Sequence, residues 1–295
     1  MRKFLMGCLL LAGLCAVALW VLSRPVPLAE DAMAGLTGDP AHGETVFWAG
    51  GCASCHADPE AKGEDKLILS GGYRIESPFG TFIAPNISPG PQGLAGWSTG
   101  DLANALKAGV SPDDKHLYPS LPYTTYIRMT LQDVADLKSF LDSLPVSDQP
   151  SQPHELAFPF NMRRGLGLWK LANLTPDWHL ADPASPEIER GRYLVEALGH
   201  CAECHTPRDL TGALDTSRWM QGAPNPSGKG EIPAIDPQSL KWSESDIAYY
   251  LETGFTPDYD SAGGHMTKVV ESIAHLGPED RKAIAAYLKA LPDNS

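Results

Sequence analysis

Four cysteines stand in two matching frames, Cys52-Ala53-Ser54-Cys55-His56 and Cys201-Ala202-Glu203-Cys204-His205. Each frame offers two thiols separated by two residues, followed at once by an imidazole. That order suits covalent attachment of haem. The thiols add across the two vinyl groups of one macrocycle, whose separation the two-residue gap matches, and the adjoining histidine reaches the iron. Two other chemistries use such residues. Four cysteines in an exported chain can form two disulfides, and a Cys2His cluster is part of a zinc site. A zinc site closes one tetrahedron from four ligands, which two clusters 149 residues apart fit poorly. Cys52, Cys55 and His56 are therefore read as one haem site, and Cys201, Cys204 and His205 as another. Two covalently bound haem c groups are the expected cofactors, with His56 and His205 on the irons. No acid–base or nucleophile constellation elsewhere calls for a catalytic site.

A haem iron in an electron carrier usually takes a second axial ligand, often methionine, which raises its potential. After His205 the candidate is Met266, in Gly263-Gly264-His265-Met266, read as a loop; His265 is its rival and core packing the alternative. After His56 the candidate is Met129. Thr130, with Asp133 three residues on, reads as a helix N-cap, so Met129 is equally a staple residue packing on Val134. His116 and an open iron are the other options. Counting twelve residues from Gly254 gives Met266; counting twelve from Gly109 gives Leu121, which cannot ligate iron.

That count rests on an internal repeat. Trp97-Ser98…Asp101 matches Trp242-Ser243…Asp246, and Phe140-Leu141…Pro145 matches Tyr287-Leu288…Pro292. From the Trp to that Pro is 48 residues in one half and 50 in the other. In each half a helix leads into the motif, from Gly43 to Ala49 and from Glu187 to Gly199. A Gly/Pro-rich loop follows, then a helix after the Trp-Ser signal, where Ser98 and Asp101 form a capping box. A last helix runs from about 131 to 144, and again from 278 to 291, with Pro278 in its first turn. No segment alternates like a strand. The expected fold is all-α, with two tandem loop-rich domains at 36–149 and 187–295. The joining segment, 150–186, is too aromatic between Phe158 and Trp178 for a solvated linker, and it is expected to pack on both.

Residues 1–29 read as a signal-anchor or signal peptide. Arg2 and Lys3 precede 19 uncharged residues from Phe4 to Leu22, long for a signal peptide and close to a bilayer span. Either way the remainder is exported. Cys8 and Cys15 fall inside this run as small hydrophobes. With 23 Lys and Arg against 36 Asp and Glu, the net charge of −13 lacks the basic footprint of a nucleic-acid binder.

The chain resembles diheme c-type cytochromes related to the cytochrome subunits of membrane-bound bacterial alcohol and gluconate dehydrogenases. The resemblance runs through Gly71-Gly72-Tyr73, Pro78-Phe79-Gly80-Thr81, Leu117-Tyr118-Pro119, Phe158-Pro159-Phe160-Asn161, Arg190-Gly191-Arg192-Tyr193 and Cys204-His205-Thr206-Pro207-Arg208. It implies two tandem cytochrome c domains and electron transfer on the periplasmic side of the inner membrane. A dehydrogenase would donate and a cytochrome or oxidase accept. Two departures matter. Those subunits carry three haem motifs and this chain two, and they read Ala-Met-Pro-Tyr where this chain has Ser120-Leu121-Pro122-Tyr123. The alternative function is a diheme oxidoreductase, of peroxidase or thiosulfate-oxidising type, with one open iron. Arg208 is read as a haem-propionate partner or a surface arginine. Trp97 and Trp242 are read as packing on the macrocycle edge or in the core.

Overall fold

The computed structural model describes residues 1–226, 228 and 230–292. The apolar run forms helix α1, Arg2–Leu22, at a mean hydropathy of 2.5 and with every residue exposed. At 1.5 Å per residue it is about 31 Å long, enough to cross a bilayer's hydrocarbon core.

The first repeat comprises α2 (Pro40–Ala49), α3 (Cys52–His56), α4 (Thr99–Ala103, continuing as a π turn through Ala108), α5 (Tyr123–Tyr126) and α6 (Leu131–Leu141). A linker helix, α7 (Gly165–Asn173), joins it to the second repeat. That repeat has α8 (Pro186–Tyr193, continuing as a π turn through Leu198), α9 (Ala202–His205), α10 (Glu244–Thr253), α11 (His265–Ile273) and α12 (Pro278–Ala290). Local chemistry starts these helices, α2 three residues ahead of the expected Gly43. Asp39 caps α2 and Ser185 caps α8, each just before a proline in the first turn. Ser98 with Asp101 and Ser243 with Asp246 both close complete capping boxes. The segments ahead of the middle loops end on left-handed Gly109 and Gly254.

The structure is helix-rich, with a few short strands in its loops. The loop after the first motif folds into a hairpin of β1 (Arg74–Ser77) and β2 (Gly80–Ile83), and β3 (Glu155–Leu156) pairs onto β2. In the second repeat β4 (Ala223–Pro224) pairs with β5 (Glu231–Ile232). Strands of two to four residues are too short for alternation to register as a pattern.

In each repeat the first and last helices cross at a glycine. A Cβ on Gly43 would lie 2.0 Å from the Asp136 carbonyl oxygen of α6; on Gly191, 1.9 Å from that of Ala283 in α12. No side chain fits between the backbones, so Gly191→Ala must push α8 off α12. Overpacking of this kind costs roughly 1–3 kcal/mol or more. A fall of that size in denaturant-unfolding stability is expected, with the m-value unchanged.

The cores of the two repeats merge into one cluster, with Phe47, Met129 and Phe140 from the first and Leu194, Met220 and Tyr287 from the second. The linker packs on both. Trp169 Nε1 donates to the Thr211 carbonyl at 3.1 Å, and Lys170 Nζ donates to the carbonyls of Ala108 and Gly109 at 2.7 and 2.6 Å. Burial holds the Lys170 amine down from its ordinary 10.5 to about 8. Between those values the unfolded chain keeps a proton that the folded chain has released. Stability therefore rises with pH from 8 to 10.5, and the penalty is in full force below 8. The gap amounts to on the order of 3 kcal/mol. In parallel unfolding curves, wild type should gain on Lys170→Met across that window.

Candidate haem sites

Both motifs present the same donor set. Each begins on left-handed backbone, at Gly51 (φ 63°) and at His200 (φ 42°). A non-glycine there is strained by roughly 1–2 kcal/mol. Each then winds one helical turn that ends in the histidine. His56 Nδ1 donates to the Pro85 carbonyl at 2.9 Å, and His205 Nδ1 to the Pro233 carbonyl at 2.7 Å. Burial lowers both imidazoles below the usual value, so the ring is neutral with its proton on Nδ1. Nε2 is left as a lone-pair donor, oriented by the second bond as iron-ligating histidines require. The backbone behind each ring matches too: Gly71 N donates to the His56 carbonyl at 2.7 Å, and Gly222 N to that of His205 at 2.8 Å. Burial lifts the Cys52 and Cys201 thiols to about 12 and Cys55 to about 11. Such thiols are not the low-pKa pair of a thiol–disulfide oxidoreductase. The donor set fits haem c: thioether-forming thiols at i and i+3, and a ligand nitrogen at i+4.

The segments that carry the candidate sixth ligands differ between the repeats. Leu117 N donates to the Gly109 carbonyl at 2.8 Å, and Ala262 N to that of Gly254 at 2.7 Å. Val110 bridges His116 as Phe255 bridges Ser261. This register places Leu121 at the position of Met266. Met266 itself lies not in a loop but in the first turn of α11, partly buried against the core, because Gly264 ends the loop one residue before His265. Met129 is buried in the core, just ahead of the Thr130 cap. Its N–H reaches back three residues to Tyr126, as that of Leu276 does to Ile273. Met129 thus takes the place that Leu276 holds in the second repeat. His116 bonds through Nε2 to the Ser23 carbonyl at 2.9 Å, and its Nδ1 is buried without a partner among the described residues.

The repeats face each other through these sites. α11 packs on α2 and α3, and α5 packs on the turn ahead of the second motif. The third residue of each motif bonds to the other repeat: Ser54 Oγ to Ser272 Oγ at 3.2 Å, and Glu203 from Thr124 Oγ1 at 2.7 Å. Trp48 stacks on His275 at 3.7 Å, and Tyr126 meets His200 edge-on. Tyr73 bonds to His265 Nδ1 at 2.8 Å, with Lys268 over its ring, so the first repeat braces the turn that carries Met266.

Arg208 pairs with Glu203 and donates to the Gly212 carbonyl. Trp97 and Trp242 pack against the core. Pro85 and Pro233 were not among the predicted site residues. Their signal was a second small repeat, Pro85-Asn86-Ile87 and Pro233-Ala234-Ile235.

A cytochrome c family model matches residues 40–145 and again 188–292. The chain is 58% identical over 284 residues to a diheme cytochrome c-type protein of Cereibacter sphaeroides, covering 96% of this chain and 95% of that one. It is 36% identical over 257 residues to the fructose dehydrogenase cytochrome subunit of Gluconobacter japonicus, and 34% over 268 to the gluconate 2-dehydrogenase cytochrome c subunit of Pantoea cypripedii. It spans 52% and 58% of those two subunits, about half their length. With two matched domains, each holding its own attachment motif and oriented histidine, the chain belongs to the cytochrome c family and carries two haem c groups.

Proposed function

We propose that this chain is a membrane-anchored electron carrier that takes electrons from a dehydrogenase and passes them to a cytochrome or an oxidase of the respiratory chain. The single observation that carries this reading is the joining of two attachment sites across one shared core, with residues of each repeat braced on the other's motif. Each haem c, when bound, supplies one reversible ferric–ferrous couple. The chain's own residues do the rest: they hold both histidines in one tautomer and fix the mutual position of the two sites. The identities to dehydrogenase cytochrome subunits support a dehydrogenase as donor. The length and hydropathy of α1 support an anchor, with the body on the periplasmic side.

Met266 is the proposed sixth ligand at the second site. At the first, Met129 is the available thioether, but its Leu276-like place in the core favours an iron without methionine. That observation supports a second reading, a diheme oxidoreductase acting on peroxide or thiosulfate at the first iron. Membranes containing such a dehydrogenase, given its substrate, are expected to reduce both haems, and an added cytochrome to reoxidise them. A chain that stays oxidised there while turning over peroxide or thiosulfate would overturn the carrier reading.

A further inference from the structure

The end of α1 is locked to the body. Arg164 bonds Ser23 Oγ at 3.0 Å and the Trp20 carbonyl at 2.5 Å, and its guanidinium lies 4.1 Å from the Trp20 ring centroid. A Cβ on Gly167 of α7 would meet the Ser23 carbonyl oxygen at 2.3 Å, so the two backbones touch. His116 holds that same carbonyl, and Arg163 holds the His116 carbonyl while covering the Tyr118 ring. The segment that makes this lock also exposes large apolar side chains: Phe158 at 75%, Met162 at 53% and Leu171 at 65%, with Phe160 and Leu168 less so. From 156 to 176 it has no acidic residue, and Arg163 and Arg164 are half-buried beside the lock, in a chain of net charge −13.

We infer that this segment lies in the bilayer interface, with Phe158, Met162 and Leu171 among the lipid headgroups and upper acyl chains. The inference rests on the reading of α1 as a membrane anchor. If α1 spans the bilayer, its last turn marks the membrane boundary, and Gly167 touches the residue after that turn. Whatever is exposed on this side of α7 then meets lipid before it meets water. Exposed apolar side chains beside arginines and free of carboxylates are the composition an interfacial segment favours. The occupant is the bilayer that holds α1. The body would thereby be seated in one fixed orientation on the membrane.

The test uses the full-length holoprotein in lipid nanodiscs, with a photoreactive benzophenone side chain placed singly at Phe158, Leu171, Leu11 or Tyr259. Leu11 lies mid-way along α1. Tyr259 is 98% exposed, in the loop of the second repeat that matches 111–115 of the first. Illumination followed by mass spectrometry reads the covalent phospholipid adduct. The expected result is adduct at Leu11, Phe158 and Leu171, the latter two exceeding Tyr259 by roughly tenfold. Adduct at Leu11 with Phe158 and Leu171 no higher than Tyr259 would overturn the interfacial seat and leave the anchor standing. No adduct at Leu11 would overturn the anchor, and the seat with it.

Discussion

Cys201→Ala with Cys204→Ala is expected to halve the covalent haem per chain and to lower stability by several kcal/mol. Both thiols of the second site are lost, while Cys52 and Cys55 are untouched. A haem stain after denaturing electrophoresis reads the covalent part, since only thioether-linked haem survives unfolding. The haem stays tethered to the unfolded chain, so its loss removes the apolar burial and the axial bond that it makes only in the folded state. The damage is expected to reach beyond the second repeat. α9 carries Glu203, which receives Thr124 of the first, and His200 ahead of it faces Tyr126. A drop in stability shared by both repeats, seen as one cooperative unfolding transition at lower denaturant, is the expected outcome. The mirror variant, Cys52→Ala with Cys55→Ala, should behave alike, because Ser54 braces α11 in the same way.

Leu121→Met is expected to supply the first haem with the thioether that Met266 offers the second. The matched backbone bonds from Leu117 to Gly109 and from Ala262 to Gly254 put the two positions in one register. Methionine and leucine have similar volumes, so the fold should accept the change at less than about 1.5 kcal/mol. The first haem's potential should rise on the order of 100 mV, because axial ligand identity is a main determinant of potential. Carbon monoxide, which the reduced wild type is expected to bind at one haem per chain, should no longer bind. Met129→Leu serves as the control. If Met129 only packs, that variant keeps wild-type carbon monoxide binding and both potentials.

Several parts of this architecture were legible in the residues. The Ser-x-x-Asp boxes, Pro278 in the first turn of its helix and the final helices themselves are local signals, decided within one turn of chain. The haem motifs are equally local. What escaped was set by tertiary contact. The short strands exist because loops meet, not because their residues alternate. Met266 reads as a loop residue because Gly263 and Gly264 look like loop, yet the helix begins immediately after them. His200 adopts a left-handed conformation where the first repeat uses Gly51, and nothing in its neighbours announces that. The facing of the two motifs through Ser54, Glu203 and Tyr73 joins residues up to 218 positions apart, a distance at which no pattern of period two or 3.6 speaks.

An anaerobic potentiometric titration of the purified full-length chain, following the haem absorption bands, tests the central claim most directly. Two one-electron couples per chain, both fully reversible, is the predicted result, with the Met266 site at the higher potential. A single couple, or two haems of which one cannot be cycled, would contradict an electron carrier built from two joined sites.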